Sequence, residues 1–350
     1  MPETNFFRGK KVFITGHTGF KGTWLSVLLH RMGAEVYGYS LRPPTETNLY
    51  DISGIDNHID SKIGDVRDFD SLSSYYRSVD PDIVMHLAAQ PIVREGYRSP
   101  RYTYDVNVMG TVNILECIRT HPGAQSFLNV TTDKVYENNE SGKYYCESDP
   151  LDGFDPYSNS KSCSELVTHC YDRSFPGDLC PISTARAGNV IGGGDFAKDR
   201  IIPDCISAAM SGRPVVLRNP NSIRPYQHVM EPLHAYLEII RSQAQDRGFA
   251  GSYNIGPRPE DCISTGGLAD LFCSCWGENA SWITNEDSGP HEANFLKLDS
   301  TLVRERIGFS PKWHIQEAVS KTVEWTRSWL DDEDMLDVMN SQIADYEAVI

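Results

Sequence analysis

Tyr157 and Lys161 stand four residues apart in Asp155-Pro156-Tyr157-Ser158-Asn159-Ser160-Lys161. On a helix that spacing puts a phenol and an ammonium on one face. A nearby ammonium favours phenolate over phenol and so lowers the tyrosine pKa. A tyrosine brought toward neutrality can take the proton of an alcohol while hydride leaves the same carbon. The chemistry needs a helix, and the preceding residues start one. Asp155 can cap the first amides, and Pro156 fits the first helical position. The pair alone also arises by chance on helices, so its meaning depends on what surrounds it.

The elements that must position it alternate. Val12–Thr15, Ala34–Ser40, Ile59–Ile63, Ile83–Ala88, Phe127–Val130 and Ile182–Ala185 read as strands. Between them lie helical patterns, from about Thr23 to Met32, through Val106–Arg119, and behind Asp155. Gly33 ends the first helix. Strands alternating with helices predict an α/β fold with a doubly wound parallel Rossmann sheet. After about Arg186 the rhythm breaks at Gly192-Gly193-Gly194 and several prolines. Val215–Arg218 reads as a short strand; Glu231–Ser242, Gly267–Trp276 and Gln316–Trp329 read as helices. The expected organisation is a dinucleotide-binding domain over 1–185, receiving elements from about 230–256. A smaller α/β substrate lobe takes 186–229 and 257–350. Trp24, Trp276 and Trp313 read as core.

Gly16-His17-Thr18-Gly19-Phe20-Lys21-Gly22 joins the first strand to the first helix. Glycines there allow a tight turn and a close approach of backbone to a pyrophosphate, and the helix N-terminus offers free amides. The spacing is Gly-x-x-Gly-x-x-Gly. A NAD-binding sheet usually ends its second strand with an acid for the ribose hydroxyls. Here Leu41-Arg42 follows instead. Arg42 is either a partner for a 2′-phosphate, favouring NADP, or a solvated loop arginine. The second reading is preferred, and NAD with it. Asp65, followed by Val66, either reaches the adenine or is a turn aspartate.

The chain has 350 residues, 40% hydrophobic and 23% charged, with a formal charge of −16. That field repels nucleic acid in the absence of a local basic patch. No apolar run suggests a leader or a membrane span. The nine cysteines are scattered and odd in number. Neither zinc nor a disulfide framework is expected, and a reducing cytoplasm fits.

The glycine spacing and the Tyr-x-x-x-Lys pair together resemble the extended short-chain dehydrogenase/reductase superfamily. His86-Leu87-Ala88-Ala89-Gln90 is similar to its loop under the nicotinamide ribose. Asn107-Val108-Met109-Gly110-Thr111 resembles the helix that carries a structural asparagine. Arg186-Ala187-Gly188-Asn189-Val190-Ile191-Gly192 and Tyr253-Asn254-Ile255-Gly256 resemble segments of its nucleotide-sugar enzymes. Within that group the likeness is to the nucleotide-sugar 4,6-dehydratases that act on CDP-glucose. It is carried by the glycine loop, Thr132-Asp133-Lys134, Gly192-Gly193-Gly194-Asp195, Ser222-Ile223-Arg224-Pro225-Tyr226-Gln227-His228-Val229 and Pro290-His291-Glu292-Ala293.

The resemblance implies NAD as cofactor, held by Gly16, His17, Thr18, Gly19, Phe20, Gly22, Asp65, Val66, Ala88, Ala89, Gln90, Asn107, Tyr157 and Lys161. It implies C4 oxidation of the hexose by Tyr157, Lys161 and Thr132. Loss of water across C5 and C6 follows, with Asp133 as the acid, and hydride then returns to C6. Related dTDP-glucose enzymes carry a glutamate where this chain has Lys134. By position Lys134 is the C5 base, or else it stabilises the enolate. As a base it needs burial or a neighbouring cation to lose its proton. Asn189, Arg200, Arg224 and His291 would line the sugar nucleotide, since arginine offers a planar fork to phosphate. A homodimer or higher homo-oligomer is a further implication. Two other readings stay open: a NAD-dependent nucleotide-sugar epimerase, and a catalytically inactive Rossmann protein that senses NAD(P).

Overall fold

A computed structural model of the chain describes residues 6–139, 142–277, 280–284 and 296–349. The first half supplies β1 (Lys11–Thr15), β2 (Glu35–Ser40), β3 (Asp60–Ile63), β4 (Ile83–His86), β5 (Ser126–Val130) and β6 (Ile182–Ala187). Further on come β7 (Val190–Ile191), β8 (Val215–Leu217), β9 (Ile223–Arg224), β10 (Gln227–His228), β11 (Ser252–Ile255), β12 (Ile263–Ser264) and β13 (Trp282–Thr284). One sheet has seven strands in the order β11-β6-β5-β4-β1-β2-β3. Every pair in it is parallel. The remaining strands pair two by two.

The helices are α1 (Phe20–Arg31), α2 (Leu49–Ser53), α3 (Phe69–Val79), α4 (Val93–Arg98), α5 (Pro100–Tyr104), α6 (Gly110–Thr120) and α7 (Pro156–Ser174). In the second half they are α8 (Ile201–Met210), α9 (Met230–Gln245), α10 (Thr265–Trp276), α11 (Thr301–Ile307), α12 (Ile315–Leu330) and α13 (Met335–Ala348). Among the described residues, none is long and apolar enough to cross a membrane.

Alternation along the strands feeds two cores. Val12, Ile14, Ile83, Met85 and Leu128 face Trp24, Leu28, Leu233, Tyr236 and Met339, from α1, α9 and α13. Phe13, Val84 and Phe127 face Leu72, Ile114, Leu115 and Ile118, from α3 and α6. Side chains that alternate while both faces are covered by helices keep the central strands out of water, whereas the edge strand β3 stays largely exposed. A third cluster, with Ile202, Cys205, Leu217, Leu268, Phe272 and Val319, packs the lobe of α8, α10 and α12.

Several boundaries differ from the sequence reading. The first helix starts at Phe20, because Gly19 already has the extended backbone of an N-cap. β4 stops at His86, which leaves Ala88–Gln90 as loop. The expected helix over Val106–Arg119 is the end of a longer helical run that begins at Pro100 and passes through a π turn at Asp105–Met109. The extra residue of such a turn re-aims side chains, and Asn107 lies within it.

The strand order reverses on either side of β1, between β2 and β4. In open parallel sheets the crevice beyond the carboxyl ends at that switch point takes the ligand. The glycine loop after β1, Ala88–Gln90 after β4, Thr132–Lys134 after β5 and Asn189 after β6 all gather there. The wall is tight: a Cβ on Gly38 of β2 would lie 2.3 Å from the His17 ring. Gly38→Ala is therefore expected to destabilise the fold by about 1–3 kcal/mol and to weaken dinucleotide binding, as read by urea unfolding and by cofactor titration.

Candidate active site

The loop after β1 has two glycines with packing reasons and one without. A Cβ on Gly16 (φ 83°) would meet Ala88 N at 2.6 Å, and one on Gly22 would meet Gly16 O at 2.1 Å. A Cβ on Gly19 would meet only Gly16 O, at 3.4 Å, and would project into open space. Gly19 adds no side-chain cap to α1, so the first-turn amides face that space. An open cradle at a helix N-terminus fits a pyrophosphate. Phe20 closes one side of it against Gly192.

The cradle's rim is polar and ordered. Thr18 Oγ1 donates to Leu41 O at 2.8 Å and lies 2.9 Å from Ser40 Oγ. His17 Nε2 lies 2.7 Å from Ser61 Oγ, while its buried Nδ1 has no partner. Burial pushes His17 down to about 4, so its ring is neutral. Arg42 is exposed. Asp65 gives its carboxylate to Arg67, with Nη2 at 2.6 Å, and Val66 beside it is buried. On the other side, Ala88 N donates to Thr15 Oγ1 at 3.3 Å. Asn107 Oδ1 accepts from Gln90 N at 2.8 Å, and its Nδ2 donates to Gln90 O at 3.1 Å and to Ser160 Oγ at 2.9 Å. The π turn thus lets one amide clamp the Ala88-Ala89-Gln90 loop to α7.

α7 begins as its sequence predicts. Asp155 Oδ1 accepts from Tyr157 N at 2.9 Å and Ser158 N at 3.0 Å. Tyr157 and Lys161 are both buried. Lys161 Nζ donates to Val130 O, at the end of β5, at 3.0 Å. Burial lowers Lys161 to about 8, with Glu165 opposing. Tyr157 corrects the sequence reading: it is pushed up to about 12, not down. Burial in the closed crevice is the largest cause, and the hydrogen bond with Thr132 offsets only part of it. Removing water penalises phenolate more than Thr132 and Arg200 favour it.

Thr132, Asp133 and Lys134 form the facing wall. Thr132 Oγ1 donates to Asp133 Oδ1 at 3.0 Å. Lys134 Nζ pairs with the same oxygen at 3.2 Å, and its side chain is 32% exposed. Asp133 is 1% exposed, and its Oδ2 is buried without a partner. Tyr157, Thr132, Asp133 and Lys134 therefore make one continuous line of polar groups. Lys21 joins them from the glycine loop, a residue whose place in the site its motif did not reveal. Burial lowers it to about 7, helped by Arg200, Lys161 and Lys134 and opposed by Asp133. Tyr236, fully buried on α9, has its hydroxyl 3.5 Å from Lys21 Nζ.

The lobe brings up its own groups. Asn189 Oδ1 is buried and unpaired. Arg200 Nη1 donates to Asp195 Oδ2 at 2.8 Å. Arg224 is buried, and its Nη1 reaches Ile223 O at 3.2 Å. His291 lies outside the described residues.

These features define a doubly wound dinucleotide fold with a cleft between sheet and lobe. The chain belongs to the GDP-mannose 4,6-dehydratase family, whose model matches residues 13–322. It is 43% identical to a CDP-glucose 4,6-dehydratase of Salmonella typhimurium, over 99% of this chain and 98% of that one. The fold is shared with a UDP-glucose 4-epimerase of Thermotoga maritima (TM-score 0.79, 20% identity, 91% of this chain and 99% of that one). It is also shared with a dTDP-glucose 4,6-dehydratase of Bacillus anthracis (TM-score 0.77, 19% identity, 94% of this chain and 100% of that one).

The raised Tyr157 value has a spectroscopic consequence. In cofactor-free protein, tyrosinate absorbance from about pH 7 to about pH 10 should rise equally in wild type and Tyr157→Phe. A larger rise in wild type would mean that burial does not dominate.

Proposed function

We propose that this protein converts CDP-glucose to CDP-4-dehydro-6-deoxyglucose and water, with NAD recycled. The observation that carries this reading is the line Tyr157–Thr132–Asp133–Lys134. A simple alcohol dehydrogenase needs the first two groups; an elimination needs an acid and a base beside them. The 43% identity with a CDP-glucose 4,6-dehydratase supports the substrate.

NAD, held by the Gly16–Gly22 cradle, Ala88–Gln90, Tyr157 and Lys161, would supply a hydride acceptor for C4, a hydride donor for C6 and a positive charge in the site. The chain's own residues move the protons. Tyr157, held protonated by burial, first gives its proton to solvent; as phenolate it takes the O4 proton while C4 is oxidised, and the new ketone makes the C5 proton acidic. Transfer of one proton across the 3.2 Å contact turns the Lys134–Asp133 ion pair into an amine and a carboxylic acid. Lys134 then removes the C5 proton, and Asp133 protonates the departing C6 hydroxyl. Lys134 returns its proton to C5 when C6 is reduced. The proton left on Tyr157 passes through Thr132 to Asp133, which restores the starting state.

In the same reading, residues 186–229 and 257–350 supply the sugar-nucleotide lobe, except that α13 packs on the core of the sheet, and Asn189, Arg200 and Arg224 face the nucleotide. Two copies pair through α6 and α7, an assignment supported by exposed Leu166 of α7 and exposed Met109 at the end of the π turn that leads into α6. The nine free thiols agree with a reducing cytoplasm.

Mixing the protein with NAD and CDP-, dTDP-, UDP- and GDP-glucose tests the reaction and the base together. The expected result is loss of water from the CDP sugar with no net NADH. A mass-neutral sugar change would instead mark an epimerase, and binding without turnover a sensor. Lys134→Ala should still oxidise C4, seen as transient NADH, while dehydration falls by about a hundredfold or more. Dehydration at the wild-type rate would remove Lys134 from the mechanism.

A further inference from the structure

Loop 195–200 connects Gly192-Gly193-Gly194 to α8 and carries Asp195, Asp199 and Arg200. Asp195 is committed to Arg200. Asp199 is placed differently. Its backbone is left-handed, with φ 62°, although it is not glycine. A strained residue persists where its surroundings over-determine it, often at a ligand clamp. Here the turn sets the carboxylate between two guanidiniums from distant parts of the chain. Arg94 Nη1, from α4, and Arg218 Nη2, just beyond β8, each lie 3.5 Å from Asp199 Oδ1. Both contacts are longer than the roughly 2.7–2.9 Å of a charge-assisted hydrogen bond. One oxygen thus serves two arginines loosely, and all three side chains remain between a quarter and a third exposed.

The trio borders the crevice. A Cβ on Gly96, two residues after Arg94, would lie 3.1 Å from Tyr157 N. Arg200, adjacent to Asp199, acts electrostatically on Tyr157. Arg218 leads through a short loop into β9, where Arg224 stands. Ion pairs hold Arg94, Arg200 and Arg218 together here against Asp195 and Asp199, in a protein of formal charge −16. Three guanidiniums gathered in one place are of the sign a nucleoside diphosphate requires.

We propose that Arg94 and Arg218 bind the diphosphate of the nucleotide sugar, and that Asp199 holds them in place until it enters. The incoming oxygens replace a single shared carboxylate oxygen with two separate partners. Because Arg94 belongs to the sheet side and Arg218 to the lobe, one diphosphate held by both draws the lobe onto α4. This deepens the nucleotide-sugar reading and rests on it.

The test uses the full-length protein saturated with NAD, and inorganic pyrophosphate and CDP as probes in calorimetric titration. Arg94→Met and Arg218→Met should each weaken both probes about tenfold to a hundredfold, with KM for the sugar nucleotide rising more than kcat falls. Asp199→Asn should tighten both probes about threefold to tenfold, since it removes their competitor. Such a gain cannot come from a damaged fold. Wild-type affinity in both arginine variants, or weaker binding in Asp199→Asn, overturns the proposal. Pyrophosphate carries the charge without base or sugar. Arginine-dependent binding of it therefore supports this site even if CDP-glucose is not turned over. Turnover of CDP-glucose alongside arginine-independent pyrophosphate binding overturns this proposal alone.

Discussion

Glu165 and Arg186 form an ion pair almost wholly out of water, and the reacting end of the molecule hangs on it. Glu165 Oε2 accepts from Arg186 Nη2 at 2.9 Å and Thr184 Oγ1 at 2.7 Å, and Oε1 takes the Thr131 hydroxyl. Arg186 Nη1 donates onward to Tyr136 Oη at 2.8 Å and Glu147 O at 3.0 Å. Burial alone would raise the Glu165 carboxyl, but Arg186 and the two hydroxyls outweigh it and hold it below its usual range. Removing one partner of such a pair costs about 3–5 kcal/mol, because the other is left charged and dry. The geometry explains what is at stake. Glu165 sits one turn after Lys161, and Thr131 sits one residue before Thr132. One network therefore sets the position of α7 against the end of β5.

Around that anchor the crevice is dry, and dryness decides the charges. It pushes Tyr157 up to about 12, and Lys161 and Lys21 down to about 8 and about 7. Each shift moves the group toward its neutral form. A site prepared in this way gains most when an anion arrives: every positive charge that burial disfavours becomes a partner. In the proposed reading, the glycine cradle, free of a Cβ at Gly19, and the lobe arginines address different phosphates of different molecules.

Much of this was legible in the chain. The cap at Asp155, the spacing of Tyr157 and Lys161 and the glycine loop are local patterns, so the helix, the sheet and the cradle followed from them. Thr132, Asp133 and Lys134 are consecutive, so their contact was as well. What escaped depends on pairs far apart in sequence. The direction of the Tyr157 shift needed the depth of burial, which no spacing reports. Lys21 was written inside the motif, but its neighbours Arg200 and Lys134 come from other elements. Asp199 carries no signal of its own in the sequence, because its partners Arg94 and Arg218 are more than a hundred residues apart. The π turn at Asn107 left no mark in the periodicity beyond the helix it interrupts.

A single hydroxyl links the two halves of the proposed reaction. Thr132 has one proton, and it donates that proton to Asp133 at 3.0 Å. Its bond to Tyr157 must then be one in which the phenol donates. If Tyr157 becomes phenolate, Thr132 can stabilise it only by turning its own proton toward the phenol oxygen. Its contact with Asp133 survives that turn only if Asp133 carries a proton to donate back. The base at O4 and the acid at C6 are therefore formed by one reorganisation and not by two independent titrations. A tyrosine–threonine pair without the aspartate has no such coupling and would stop at the ketone. The carboxylate next to Thr132, with Lys134 to balance it, is what carries the same geometry from oxidation to elimination.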